Sequence, residues 1–214
     1  MKEKTLEQFY HLLNSDAPTP GGGAIISYVL SLAVGLSNMS ILISKKRKSF
    51  LALDESIQNR VSEASNKLTS LGTGLLDEIQ NDVDAFNHFM VIYKLKPENE
   101  EEQLKKEQLL DEASNKSILI PVKVLKTCIE AYDAYEVIEP YVVKSIISDL
   151  IIGVILLDSC IQSSIVNIKI NLPYIKDENL IKMINQEIKI AKEVRESKLT
   201  PLLNKLMSKL EGGN

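Results

Sequence analysis

Cysteine and histidine are nearly missing from this chain, with two of each in 214 residues. Cys128 and Cys160 both lie in apolar stretches, and neither has a Cys or His at metal-ligand spacing, which argues against structural zinc and for a reduced protein. A basic excess is missing too. Lys and Arg number 25 against 29 Asp and Glu, a net charge of -4, too little positive charge for a dedicated nucleic-acid binder. The first residues, Met1 to Glu7, are charged and amphipathic where a secretory signal needs an apolar core, so the expected location is the cytoplasm. Alternating runs of strand type, Asn-Gly hairpin signals and internal repeats are absent, and no Ser-His-Asp or Cys-His arrangement can be assembled for nucleophilic catalysis. What the chain does have is apolar side chains, 44% of the total, enough to fill the core of one large domain and to exclude disorder.

Their spacing is helical nearly throughout. Leu6, Phe9, Tyr10 and Leu13 mark a short first helix that stops before a Pro-Gly cluster. From Ala17 to Ser44 there is no charge, and a helix over Ala24 to Ser44 would be roughly 30 Å long, enough to span a bilayer ahead of the basic run Lys45 to Lys48. Serines and Asn38 within it, and Asp149 and Asp158 within a second apolar run from Ile146 to Ile170, speak against lipid. The better reading is two central bundle helices, apolar all round because other helices surround them. Between them, Ile57, Val61, Ala64, Leu68, Leu71, Leu75, Ile79, Asp82, Phe86, Phe89 and Tyr93 form one amphipathic seam over about 54–93. Further helices are predicted over about 101–120, from Pro121 to about 139, over about 141–168, and from about 177 to 198, where Pro201 interrupts. The predicted fold is all-α, a single up-and-down bundle of about seven helices over 1–214.

Asp82 is the anomaly of the seam. It is the only charged residue between Leu75 and Tyr93 at a position that calls for an apolar side chain. A carboxylate there is either partly desolvated and suited to passing a proton near neutrality, or turned to the seam edge and paired with a lysine. Asp149 and Asp158, nine residues apart, fall on opposite faces of their helix and serve as structural glue or as cavity lining. The run Ala17-Pro18-Thr19-Pro20-Gly21-Gly22-Gly23 ahead of a helix reads as a backbone cradle for a carboxylate or phosphate, or as a plain tight turn. Lys45 to Lys48, with Lys94 and Lys96, make a solvated basic face unless an anionic substrate calls on them.

Taken in order, Ser15 to Gly23, Lys45-Lys46, Asp82-Val83-Asp84-Ala85-Phe86 with Tyr93-Lys94-Leu95, Ser148-Asp149-Leu150, and Val166 to Leu172 resemble the formiminotransferase-cyclodeaminase C-terminal family, over nearly the whole chain. The resemblance implies an all-helical subunit that forms a homodimer, acts on tetrahydrofolate derivatives, and needs no metal and no bound cofactor. It implies Asp82 as the catalytic acid-base group, and Gly21, Gly22, Gly23, Lys45, Lys46, Lys94, Asp149 and Asn167 as substrate-binding residues, with the lysines on the folate glutamate tail. The activity it implies is conversion of 5-formiminotetrahydrofolate to 5,10-methenyltetrahydrofolate and ammonia. Methenyltetrahydrofolate cyclohydrolase activity is the alternative, and a non-catalytic folate-binding or partner-binding dimer a further one. This chain departs from the family pattern at Ala24, at Ser44 and over Val142-Val143-Lys144-Ser145. Asp149 and Asn167 share a helix face but stand eighteen residues apart, roughly 27 Å, so they belong to two ends of a long cleft or to sites built across a dimer.

Overall fold

A computed structural model describes residues 1–211; residues 212–214 of the single domain expected over 1–214 lie outside the described residues. Every regular element among the described residues is helical. The order is α1 (Leu6–Leu13), α2 (Gly22–Ser44), a one-turn α3 (Lys48–Leu51), α4 (Glu55–Tyr93), α5 (Glu100–Ile138), α6 (Ile147–Asn171), α7 (Glu178–Val194) and α8 (Thr200–Glu211). Polar caps set the starts: Thr5 and Gln8 form a reciprocal capping box on α1, Asn99 caps α5, and Asp177 caps α7.

Two boundaries differ from the sequence expectation, both at proline. The helices expected to meet at Pro121 are one helix, α5, with Pro121 buried inside it. Proline in a helix interior costs about 3 kcal/mol, and the burial of Ile118, Val122 and Leu125 on either side outweighs it. Pro201 does not stop the chain either. Lacking an N–H for the Ser197 carbonyl, it follows a π-helical turn over Arg195–Leu199, in which Thr200 Oγ1 donates to the Arg195 carbonyl at 3.0 Å.

Cross-helix contacts fix the topology. Ala24 meets Asp82, Asn38 meets Thr69 and Lys45 meets Ser62, so α2 and α4 are antiparallel. Glu78 pairs with Lys123, and Lys67 with Glu130, making α4 and α5 antiparallel. On the other side of α2, Gly23 approaches Asn167 and Ser37 approaches Gly153, so α6 runs opposite to α2. These four helices form the up-and-down core predicted, and α7 packs on α5. Small residues allow the closest approaches: a side-chain carbon at Gly153 would overlap Ser37 Oγ, and one at Gly72 would lie 3.1 Å from Val34 Cγ2. Ser27, Ser40 and Ser44 of α2 turn their hydroxyls onto their own helix, to the carbonyls of Gly23, Ser37 and Ser40, which is how an uncharged helix carries them in a core.

The expectation that other helices surround α2 and α6 is corrected. Both are long and apolar enough to cross a membrane by length and composition, and about half of each such stretch is buried, 50% and 44%. Part of the remainder points outward. Leu32 and Leu42 on α2 are 49% and 46% exposed, and Ile152 and Ile155 on α6 are 46% and 43% exposed. Among the described residues of one chain, these side chains stay exposed.

Candidate functional site

Where α2, α4, α5 and α6 converge at one end of the bundle, they leave a cleft of about 580 Å³, a size ordinary for small-molecule sites. Its floor is built from the first turn of α2. Gly22 and Gly23 are helical and Gly21 is the N-cap, so the expected turn is already the helix start. None of these three glycines has a positive φ. What requires glycine is space, because a side-chain carbon at Gly23 would overlap the Asp82 carboxylate and lie 2.9 Å from Asn167 Nδ2. The cradle expected for a ligand anion receives the protein's own: the Ala24 N–H donates to Asp82 Oδ2 at 3.0 Å. The Ala24 side chain is fully buried against Ile79 and Val83, away from the cleft, so only its backbone bears on the site.

Asp82 sits half-buried on α4 where the seam leaves the core. The seam is core through Leu75 and Ile79, and beyond Asp82 the same stripe, Phe86, Phe89 and Tyr93, becomes the aromatic wall of the cleft. Phe89 and Tyr93 stack at 6.1 Å between centroids. Burial pushes the Asp82 carboxyl above its ordinary value, and the Ala24 N–H pulls the other way and loses. The lysine pairing weighed for a seam-edge Asp82 is not what the fold provides, since the contact made is to a backbone amide.

The opposite wall comes from α5 and α6. Ser114, Ser117 and Pro121 line it from α5, and Pro121 leaves the Ser117 carbonyl without its helical donor. Asn167, Ile170 and Asn171 line it from α6, and Tyr174 closes that side from the 3-10 turn Leu172–Tyr174.

Of the residues singled out in the sequence, Gly21, Gly22, Gly23, Asp82 and Asn167 share this cleft. Lys94 caps α4 beside Tyr93 and is exposed at the same end, outside the lining. Lys45, Lys46 and Asp149 are not brought there within one chain. Lys45 and Lys46 follow the far end of α2, roughly 33 Å along the helix from Gly22; Lys45 Nζ donates to Ser62 Oγ at 2.8 Å. Asp149 lies in the first turn of α6, at that far end. Asp158 is structural, held by Arg195 Nε at 2.6 Å and by Gln162. Of the cleft residues not named as site candidates, Phe89 carried the signal of an aromatic seam that continues past the length its neighbours cover and Asn171 lay in the Val166 to Leu172 motif, whereas Ser117 and Tyr174 carried none.

A helical bundle with a half-buried acid at the floor of an aromatic cleft, and no cation beside that acid among the described residues, defines a class: an all-α protein with a small-molecule-sized cleft. The comparisons with known proteins narrow it. The formiminotransferase-cyclodeaminase family model matches residues 5–190. The chain belongs to that family. It is 27% identical over 168 residues to the methenyltetrahydrofolate cyclohydrolase of Methylorubrum extorquens, 78% of this chain and 79% of that protein. It is 23% identical over 188 residues to the formimidoyltransferase-cyclodeaminase of Sus scrofa, spanning 86% of this chain but only 34% of that protein. Its fold superposes on a crystal structure of formiminotetrahydrofolate cyclodeaminase from Thermotoga maritima with a TM-score of 0.80, covering 99% of this chain and 98% of that one at 24% identity.

Proposed function

We propose that the chain is a tetrahydrofolate one-carbon enzyme that converts 5-formiminotetrahydrofolate to 5,10-methenyltetrahydrofolate and ammonia, in the cytoplasm and without a bound metal or cofactor. The observation that carries this reading is the Asp82 carboxyl, half-buried in the cleft, raised by burial and without a counter-cation among the described residues. N10 attacks the carbon of the protonated amidine on N5, and the cationic tetrahedral adduct must lose a proton from N10 and gain one on its departing NH2 group. Asp82 takes the first proton and returns it to the second, so its own charge is unchanged over the cycle and ammonia leaves as the methenyl cation forms. Its carboxylate then faces that cation. The aromatic wall of Phe86, Phe89 and Tyr93 suits the flat rings of a folate, and Lys94 at the rim suits a glutamate tail of one or more residues.

The second reading is methenyltetrahydrofolate cyclohydrolase, favoured by the match to 79% of the length of a protein of that name. There Asp82 would orient water toward the methenyl carbon. An ultraviolet assay of methenyl formation from the formimino substrate and of methenyl loss, side by side, separates the two. In whichever assay is active, Asp82→Asn is expected to cut turnover at least about tenfold. Unchanged turnover in folded Asp82→Asn would end both readings.

The outward stripe of α2 and α6 supports a homodimer as part of this proposal. It carries Leu32, Met39 and Leu42 on α2 and Ile152, Ile155, Val166 and Ile170 on α6, interrupted only by polar residues such as Ser159 and Gln162, so a second copy is the partner whose surface matches it. A two-fold axis across the middle of α6, near Ser159, would set the Asp149 end of one copy beside the Lys169 end of the other, bringing the far-end candidates Lys45, Lys46 and Asp149 toward a neighbouring cleft. Ile155→Glu is expected to give monomers by light scattering; a wild type that is itself monomeric would remove the dimer.

A further inference from the structure

We propose that Asn171 is a positioning residue that sets the orientation of the Asn167 side-chain amide, so that its NH2 group faces the Asp82 carboxylate across Gly23. The proposal deepens the reading of Asp82 as the acid-base group and rests on it for its catalytic meaning. Asn171 Nδ2 lies 2.8 Å from the Asn167 backbone carbonyl and 3.5 Å from Asn167 Oδ1, with the amide as donor in both contacts. The oxygen of Asn167 is thereby turned toward Asn171. Its nitrogen is turned toward α2 and α4, where the space above Gly23 is shared by Asn167 Nδ2 and Asp82 Oδ1, within a few ångströms of each other.

A side-chain amide has nearly the same shape in its two flipped states, so packing chooses between them weakly and hydrogen bonding decides. With the NH2 group inward, the carboxylate meets a donor dipole; with the oxygen inward, it meets an acceptor, which disfavours the charged form. Asn171 sits at the last turn of α6, its side chain half-buried in the cleft wall, and supplies the donor that fixes the choice. The other ionisable groups around Asp82 leave this effect readable. Glu78, one turn earlier on α4, is bound by Lys123 of α5. Among the described residues that line the cleft, only the phenols of Tyr93 and Tyr174 can ionise besides Asp82.

The test is a carbon-13 carboxyl NMR titration of Asp82, assigned by the signal lost in Asp82→Asn, in wild type, Asn171→Ala, Asn167→Ala and the double variant. Each single variant is expected to move the Asp82 titration upward by about half a pH unit or more, and the double variant no further than Asn167→Ala alone, because Asn171 acts through Asn167. Asn171→Leu, close to isosteric and without a donor, is the second variant should Asn171→Ala fold poorly. A titration unmoved by loss of Asn171, or two shifts that add, would overturn the proposal; a role confined to helix-end packing would lower the melting temperature and leave the titration in place. The readout needs no folate. Shifts as expected in a protein that turns over neither folate would sink the functional reading and leave the positioning intact, whereas turnover with an unmoved titration would sink the positioning alone.

Discussion

The two ends of the bundle treat a buried acid in opposite ways. At the far end Glu139, 2% exposed, accepts from Lys205 Nζ at 2.7 Å and from Lys209 Nζ. Burial pushes its carboxyl up, but the two ammonium groups outweigh burial and hold it below its ordinary value. At the cleft end Asp82 has a backbone N–H and, among the described residues, no such cation, and its carboxyl stands above its ordinary value. Burial acts on both, and the counter-charge decides the sign. The fold compensates the acid that ties α8 to the end of α5 and leaves uncompensated the one positioned to exchange a proton.

The hardest test of that contrast is Asp82→Asn. Loss of a general acid-base group lowers turnover on the order of 10²- to 10⁴-fold. Stability should move the other way. An acid whose folded value is raised contributes stability below its unfolded value and loses it as pH rises through the folded one, so ionised Asp82 costs stability at neutral pH. The amide keeps an oxygen for the Ala24 N–H without a charge. Equal or higher melting temperature at pH 7, together with collapsed turnover, is the expected pair; a clear drop in melting temperature would show Asp82 to be structural. Gly23→Ala comes next. The added carbon overlaps Asp82 and crowds Asn167, so the carboxylate must shift. Overpacking of this kind costs about 1–3 kcal/mol, and a misplaced catalytic group about 10²-fold in turnover. Wild-type turnover in Gly23→Ala would show that the close approach is not needed.

The same contrast marks what the sequence could reveal. Helix content and order follow from apolar spacing, and the up-and-down topology from long helices with short connections, so both were legible. The ends at Pro121 and Pro201 were not, because local propensity there is overridden by burial on both sides of the proline and by a π turn. Asp82 was legible as one charge in an apolar stripe. That the stripe turns from core to cleft wall after Asp82 was not, since Phe86 and Tyr93 look the same on paper whether a neighbour covers them or a ligand does. Lys45, Lys46 and Asp149 show the limit of order along the chain, which says nothing of the length of α2 that separates them from Gly23.

Glu139→Gln probes the compensated end. Losing hydrogen bonds between a buried carboxylate and two ammonium groups costs about 1–3 kcal/mol, a fall of about 2–4 °C in melting temperature per kcal/mol for a chain of this size. Turnover per folded molecule should not change. The pH dependence has its own sign: a lowered folded value gives stability that is present above the unfolded value and lost as pH falls through the folded one. Wild type should therefore lose stability on the acid side more steeply than Glu139→Gln, and parallel acid arms in the two would show the lysines to be bystanders.

The smallest expected effect belongs to Ser44→Ala, and it sharpens the comparison because it changes the far end without touching a charge. Ser44 is fully buried at the last turn of α2, where its hydroxyl donates to the Ser40 carbonyl at 2.7 Å and accepts the Val143 N–H at 3.0 Å. That bond ties the end of α2 to the segment that leads into α6. Removing the hydroxyl strips the Val143 amide of its acceptor and costs about 1 kcal/mol, a few degrees of melting temperature. Turnover should stay at the wild-type level, since the serine stands roughly 33 Å along α2 from Gly22. A turnover loss in Ser44→Ala that outruns its loss of stability would mean that the two ends are coupled, as they would be if the far end of one copy completes the cleft of another.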